Sequence, residues 1–275
     1  MNVRTASAPA GEAHRYGGGV TSPVFVGVGV ALVTLFDDAG DLDAGASAAL
    51  AAQLVDLGVR AVVVAGSTGE AAALSDDERR RLLAAVRTAV PEGRAVVIAG
   101  TGAPSARQAA ELTTAARGEG ADAVLTLSPP RSPDVRPYYE RVAAAAAGLP
   151  VLAYHFPAVS PPGIPVAQLG GLPVQGCKDS SGDADRLLET LDVWERPLYV
   201  GSAALLSLAG PLGCAGAILA LANAEPELCI EAWAGDAGAQ RRVAGPHRAA
   251  QARFPTGIKE LVAARFGYST VVRLG

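Results

Sequence analysis

Only two lysines occur among the 23 lysine and arginine residues of the sequence, and one of them lies where an amine could do chemistry. Arginine can replace lysine wherever only positive charge matters, but it cannot supply a primary amine that deprotonates and attacks a carbonyl carbon. Lys178 ends a short apolar run at residues 174–178, which is typical of a buried strand. Lys259 lies in an amphipathic segment farther along, and we expect it at the protein surface.

Lys178 is therefore the candidate nucleophile. Desolvation at the end of a buried strand lowers the pKa of a lysine, and a neutral amine can form a Schiff base with a ketone. An ion pair with Asp179 or Asp183 is the alternative, which would give Lys178 a structural role only. Tyr154 ends the preceding apolar run, so its phenol could relay protons at the same edge of the sheet. An ordinary core tyrosine is the alternative there.

Hydroxyl groups follow several of the other apolar runs. Ser67 and Thr68 precede Gly69 in a tight turn whose hydroxyl and backbone N–H groups could hold a carboxylate. A plain glycine-containing loop would show the same pattern. Ser180 and Ser202 are supporting candidates, and the same alternative applies to them.

Two neighbours of the candidate residues should face away from them, because side chains alternate across a strand. His155 follows Tyr154 and is expected to be structural. Cys177 precedes Lys178 and is expected to face the helices.

The elements that must position these residues are eight apolar runs separated by longer Ala-rich amphipathic segments. The runs do not alternate with polar residues, as expected for strands buried on both faces of a parallel sheet. Eight β–α units in roughly 200 residues predict an α/β fold, a (β/α)8 TIM barrel, with its chemistry at the strand ends. A doubly wound open sheet is the alternative, for which residues 26–30 offer a partial glycine motif. The runs are residues 28–36, 61–66, 95–100, 123–128, 150–156, 174–178, 198–202 and 215–221.

Three regions follow from this pattern. Residues 1–24 are rich in Gly, Ala and Pro and are expected to form a flexible N-terminal arm. Residues 25–224 are expected to form the barrel. Residues 225–275 are expected to add two or three helices that pack on it.

Composition excludes several classes of function for this chain. With 50% hydrophobic residues, a sizeable core can form, and a net charge of -4 argues against nucleic-acid binding as the main function. The apolar stretches are too short to span a membrane. Three scattered cysteines without a Cys/His cluster predict neither a disulfide framework nor a metal site. With no signal-peptide pattern, we expect a cytoplasmic protein.

Seven motifs occur in the order of one protein family, and the family's spacing is kept from about residue 28 to residue 270. With them, the sequence resembles the dihydrodipicolinate synthase / N-acetylneuraminate lyase family of class I aldolases. The motifs are residues 66–70 (GSTGE), 74–79 (LSDDER), 99–102 (AGTG), 120–123 (GADA), 152–157 (LAYHFP), 176–183 (GCKDSSGD) and 220–223 (ALAN).

The resemblance implies a homotetramer or homodimer of TIM barrels that acts on pyruvate or another 2-oxo acid. It implies no metal or organic cofactor, because the protonated imine is itself the electron sink. By this resemblance Lys178 forms the imine, Tyr154 shuttles protons, and Ser67 and Thr68 hold the carboxylate and help to relay protons. The other residues that it places at the substrate are Ser180, Gly201, Ser202 and the backbone at Ile218.

Departures from the family's patterns bear on the substrate. Dihydrodipicolinate synthases carry an arginine five residues after the catalytic tyrosine, where this chain has Val159. They also carry a tyrosine pair after the fourth strand, where this chain has residues 129–133 (PPRSP). The tyrosines at 138–139 come later and are expected to begin a helix. Sialic acid lyases carry an acidic pair after the glycine of the seventh strand, where Gly201 is followed by Ser202.

Three hypotheses remain open at this point. The closest pattern is that of 4-hydroxy-2-oxoglutarate aldolases, in which a serine at position 180 contacts the distal carboxylate of the substrate. The first hypothesis is therefore an aldolase that reversibly cleaves a 4-hydroxy-2-oxo acid to pyruvate. The second is a condensation of pyruvate with an aldehyde, as in dihydrodipicolinate synthase, or a 2-keto-3-deoxy sugar-acid aldolase or dehydratase. The third is a catalytically impaired paralogue that binds a 2-oxo acid.

Overall fold

A closed barrel of eight parallel strands forms the centre of the computed structural model, which describes residues 21–274. The strands follow one another around the ring in chain order, and the last pairs with the first. Their bounds are β1 (Gly27–Ala31), β2 (Ala61–Val64), β3 (Val96–Gly100), β4 (Ala123–Leu127), β5 (Val151–His155), β6 (Gly176–Asp179), β7 (Leu198–Val200) and β8 (Gly216–Leu219).

Helices lie on the outside of the barrel, and the first seven of them connect the strands. One of them begins with a capping box at residues 75–78, in which the Ser75 hydroxyl accepts from the Glu78 N–H and the Glu78 carboxylate accepts from the Ser75 N–H. The helices are α1 (Ala44–Asp56), α2 (Asp76–Ala89), α3 (Ala106–Gly118), α4 (Arg136–Ala146), α5 (Val166–Leu169), α6 (Ala184–Val193), α7 (Leu206–Ala209), α8 (Pro226–Trp233), α9 (Ala237–Ala252) and α10 (Thr256–Phe266).

Two apolar cores result from strands that are buried on both faces. The inner core fills the barrel with side chains such as Val63, Ile98, Leu152 and Tyr199. The outer core lies between the sheet and the helices and takes the alternate residues of the same strands. Residues on the inner face at the carboxyl ends of the strands therefore point into the mouth of the barrel.

The amino end of the barrel is closed by an aromatic pair. The rings of Phe25 and Tyr199 stack with their centroids 4.7 Å apart. The Tyr199 hydroxyl donates to the Phe25 carbonyl at 3.0 Å and accepts from the Phe25 N–H at 3.2 Å. A β-carbon on Gly29 would lie 2.9 Å from the Phe25 ring, so this glycine makes room for the pair.

This architecture confirms the predicted TIM barrel and excludes the open doubly wound sheet. Each apolar run overlaps one strand, but the prediction for the first run is wrong in extent, because β1 ends at Ala31. Residues 32–36 stay buried in an irregular segment, and Phe36 forms an isolated bridge with Leu42. The segment is apolar because it is buried, so its composition resembles that of a longer strand.

Three helices follow residue 224. The first of them, α8, packs against β1 and stands as the eighth helix of the outer ring, and α9 and α10 come after it. Residues 1–20 of the predicted N-terminal arm lie outside the described residues. Within residues 21–274, no helix combines the length and hydropathy needed to cross a membrane.

Candidate active site

Lys178 and Tyr154 meet at the mouth of the barrel. They are register partners on the adjacent strands β6 and β5, so their side chains leave the same face of the sheet. Both are buried, and the Lys178 Nζ lies 4.3 Å from the centroid of the Tyr154 ring. The structure therefore places the candidate amine and the candidate phenol side by side.

The carboxylates that could have paired with Lys178 bind other groups. Asp179 accepts from the Arg186 Nε at 2.6 Å and from the Ser181 N–H at 2.7 Å. Asp183 caps α6 and accepts from the Asp185 N–H at 2.9 Å. These contacts disfavour the structural ion pair that the sequence left open, and they favour an amine directed toward the Tyr154 ring.

Ser180 and Gly201 complete this group. The Ser180 hydroxyl donates to the Tyr154 hydroxyl at 3.4 Å. A β-carbon on Gly201 would lie 1.8 Å from the Ser180 Oγ and 3.0 Å from the Lys178 Cε. Gly201 is thus glycine for a steric reason: any side chain there would occupy the space that the lysine and the serine use.

Ser202, next in the chain, is only loosely part of this group. Its hydroxyl accepts from the Ala204 N–H at 3.3 Å and caps the short helical turn at Ala203–Leu205. Ile218 lies fully buried in the inner core on β8, opposite Gly29 of β1. Its backbone forms part of the barrel wall.

Ser67 and Thr68 lie in the turn that follows β2, at the same end of the barrel. Thr68 is buried and Ser67 is partly buried. The turn is bracketed by two left-handed residues that are not glycine, Ala65 with φ 53° and Glu70 with φ 52°. Such a backbone conformation is unfavourable for L-residues and persists where the surroundings impose it, often at functional sites.

The segment after β1 and the strand β3 contact this turn from two sides. The Thr34 hydroxyl donates to the Gly69 carbonyl at 2.6 Å. A β-carbon on Gly69 would lie 2.9 Å from the Leu32 carbonyl, and one on Gly100 would lie 2.2 Å from the Ala65 carbonyl. The backbone of the turn is therefore packed against both the segment after β1 and the strand β3.

His155 and Cys177 point away from Tyr154 and Lys178, as predicted from strand alternation. The His155 Nδ1 accepts from the Ile164 N–H at 2.8 Å, and burial lowers the pKa of this histidine to about 4. Cys177 belongs to the outer core, and burial raises the pKa of its thiol. Both are structural groups.

Tyr138 and Tyr139 lie in the first turn of α4, as the sequence predicts. The Tyr139 hydroxyl donates to the Thr126 carbonyl at 2.8 Å and accepts from the Tyr154 N–H at 3.3 Å. Tyr139 thus supports the strand that carries Tyr154, a contact that sequence reasoning did not find.

The prediction for Lys259 is wrong. Its side chain is completely buried, and its Nζ lies 2.6 Å from the Glu70 carboxylate and 4.4 Å from the centroid of the Phe36 ring. Burial lowers the pKa of Lys259, and the hydrogen bond to Glu70 opposes that shift. Glu70 belongs to the GSTGE motif, and the scarcity of lysine in the chain was the signal that could have drawn attention to both residues.

A cavity of about 1020 Å³ extends from the Ser67 turn toward the segment before α10. Leu127 lines it at the end of β4, Ser128 and Pro130 line it after β4, and Val159 lines it after β5. The Ser128 hydroxyl is buried there without a hydrogen-bond partner among residues 21–274. Within the same residues, no group of three or more His, Cys, Asp or Glu side chains is arranged to hold a metal ion.

Comparison with known proteins agrees with this fold. The model of the dihydrodipicolinate synthetase family matches residues 24–244, which include every strand and the candidate site. The chain belongs to this family. The resemblance inferred from the seven motifs is thereby confirmed.

Two relatives and one solved structure support the same family assignment. An uncharacterised DapA-like lyase of Halobacterium salinarum is 38% identical over 213 residues, which are 74% of this chain and 69% of the relative. The 4-hydroxy-tetrahydrodipicolinate synthase of Pseudomonas aeruginosa is 36% identical over 228 residues, 78% and 77% of the two chains. YagE, a prophage protein of this family from E. coli K12, was solved with pyruvate. It is 26% identical with a TM-score of 0.83, over 91% of this chain and 92% of its own.

Proposed function

We propose that this member of the family is a class I aldolase that reversibly cleaves a 4-hydroxy-2-oxo acid to pyruvate and an aldehyde. One observation carries the proposal: the Lys178 amine lies beside the Tyr154 ring while the nearby carboxylates of Asp179 and Asp183 bind other groups. An amine in that position can attack the carbonyl of a ligand in the barrel mouth. The pyruvate bound to the relative YagE supports the choice of ligand.

In the proposed reaction, the Lys178 nitrogen adds to the keto carbon and water leaves, giving an imine. The Tyr154 hydroxyl group carries the protons, and Ser180 orients it through their hydrogen bond. When the C4 hydroxyl loses its proton, the C3–C4 bond breaks, the aldehyde leaves, and the electron pair moves into the imine as an enamine. Protonation at C3 and hydrolysis then release pyruvate and the free amine.

The substrate carboxylate would bind at Ser67 and Thr68. Their turn offers hydroxyl and backbone N–H groups, and its backbone packs against the segment after β1 and against β3. Gly201, Ser202 and the backbone at Ile218 would border the rest of the substrate. For 4-hydroxy-2-oxoglutarate the aldehyde would be glyoxylate, and Ser180 is the residue we assign to the distal carboxylate.

A condensation is the second candidate. It is favoured by the Pseudomonas aeruginosa relative, whose name is that of a synthase. In that case the enamine of pyruvate would attack an added aldehyde in place of a proton. A 2-keto-3-deoxy sugar-acid aldolase or dehydratase would use the same Lys178 imine with a longer substrate. Products formed from pyruvate and a panel of aldehydes distinguish these reactions.

We also propose that the protein acts in the cytoplasm as a homotetramer or homodimer. It would need no cofactor, because the imine accepts the electrons. Light scattering of the purified protein measures the assembly directly, and a monomer would contradict this part of the proposal.

Variants of Lys178 and Tyr154 test the function. Lys178→Arg keeps the positive charge but not the attacking amine, so we expect it to abolish cleavage of 4-hydroxy-2-oxo acids, as should Lys178→Ala. Tyr154→Phe should lower kcat by about 10²- to 10⁴-fold, the usual contribution of a positioned proton donor. The matched control is Cys177→Ala, whose side chain faces the helices.

Steady-state assays of pyruvate release measure these effects. Turnover by either Lys178 variant at the wild-type rate would refute the mechanism. Ligand-dependent stabilisation of the wild type without turnover on a broad panel would instead indicate a catalytically impaired paralogue.

A further inference from the structure

The Glu70 carboxylate holds the C-terminal tail against the turn that carries Ser67 and Thr68. Its Oε2 accepts from the backbone N–H groups of Arg273 and Leu274, each at 2.7 Å. Its Oε1 lies 2.6 Å from the Lys259 Nζ, and both side chains of this ion pair are completely buried. A buried pair of this kind is costly to desolvate, so it needs its full set of partners.

Lys259 and Arg273 secure the other side of this contact. The Lys259 Nζ also donates to the Val271 carbonyl at 2.6 Å. The Arg273 guanidinium binds the Glu78 carboxylate at 2.7 Å and the Gly40 carbonyl at 2.7 Å. Both cations also contact the Phe36 ring: the Lys259 Nζ lies 4.4 Å and the Arg273 Cζ 4.3 Å from its centroid. We call Glu70, Lys259 and Arg273 the tail clamp.

The tail clamp lies next to the candidate carboxylate site. Glu70 is three residues after Ser67, and its own N–H donates to the Ser67 carbonyl at 3.2 Å. Its backbone is left-handed, with φ 52°, which a residue with a side chain adopts only where contacts impose it. The clamp supplies such contacts to the Glu70 side chain. The segment after β1 contacts the backbone of Gly69 beside it, and β3 packs against the Ala65 end of the turn.

We propose that Lys259, Glu70 and Arg273 are positioning residues that set the Ser67–Thr68 turn for the substrate carboxylate, so that the docked C-terminal tail tunes substrate binding. None of them touches the reacting atoms. The inference rests on the proposed function, since it needs a 2-oxo acid whose carboxylate occupies this turn.

A shortened chain that ends at Thr270 tests the inference. It removes the tail contacts of Glu70 but keeps α10 and the whole barrel. The readout is the pyruvate concentration that gives half-maximal borohydride-trapped adduct on Lys178. We expect this concentration to rise at least about tenfold, because a small misplacement of a binding group costs one to two powers of ten, while labelling at saturating pyruvate stays complete.

The variant Lys259→Met tests the buried end of the clamp in the same assay, and it should raise the half-saturating pyruvate concentration. The double variant Lys259→Met with Glu70→Gln removes both buried charges at once. The double variant should bind pyruvate better than Lys259→Met alone, since it leaves no unpaired buried carboxylate. Glu260→Gln is the matched control. It is the neighbour of Lys259 on α10 and removes only an exposed ion pair with Arg253, so its half-saturating concentration should equal that of the wild type.

Hydrogen exchange tests the inference on the wild-type protein, so this test does not depend on whether the variants fold. If the tail sets the turn, then pyruvate in the turn must in return stabilise the tail, because coupling between two sites is reciprocal. Saturating pyruvate should therefore slow amide exchange at Arg273 and Leu274. Unchanged exchange there, or folded variants with half-saturation within twofold of the wild type, would overturn the inference. A wild type that forms no adduct would instead refute the proposed function.

Discussion

At the barrel mouth, the neighbours of position 201 leave room for glycine only. The space next to its α-carbon is already filled by the Ser180 hydroxyl and the Lys178 side chain. We expect Gly201→Ala to displace both groups and to lower kcat/KM by about 100-fold, while the protein stays folded. Gly245→Ala on α9 is the control, because nothing lies within 4 Å of the added methyl group. Equal kcat/KM for Gly201→Ala and the wild type would contradict this placement of the site.

His155 gives a pH-dependent prediction at the same scale. Burial lowers its pKa from 6.5 to about 4, so the unfolded state binds more protons than the folded state between these two values. The free energy of unfolding should therefore fall as the pH falls from 6.5 to 4. The Asn side chain of His155→Asn can still accept from the Ile164 N–H but does not titrate. Urea unfolding should show a shallower slope for this variant, and an unchanged slope would contradict the prediction.

At the scale of elements, the two ends of the barrel have different roles. The carboxyl ends of the strands carry the candidate chemistry, whereas Phe25 and Tyr199 close the amino end. Tyr199→Phe removes the hydroxyl that binds both backbone groups of Phe25, which should lower the free energy of unfolding by about 1 to 3 kcal/mol. The half-saturating pyruvate concentration should stay that of the wild type. A loss of pyruvate binding without a loss of stability would contradict this division.

The element scale also shows which contacts the sequence could reveal. Buried apolar runs predicted every strand, because strands covered on both faces must be apolar throughout. The pattern did not separate residues 32–36 from β1, because an irregular segment that packs in the same core is apolar for the same reason. The side-chain direction of His155 and Cys177 followed from alternation alone.

At the scale of the whole molecule, the contacts that the sequence did not reveal are long-range ones. Lys178 could be placed at a strand end from its local pattern. Lys259 could not be placed, because its partner Glu70 lies 189 positions earlier in the chain and no local periodicity records that distance. The same holds for the contact of Glu70 with Arg273, which joins the tail to the second strand's turn. Whether such a residue is buried depends on a partner that is distant in the sequence.

The measurement that tests the central claim most directly is borohydride reduction in the presence of pyruvate, followed by intact-mass analysis and peptide mapping. The chain offers two lysines, both buried, and only Lys178 lies at the barrel mouth. We predict one reduced pyruvyl adduct per chain, on the peptide that contains Lys178, and none on the peptide that contains Lys259. A folded protein that gains no adduct, or gains it on Lys259, would contradict the account.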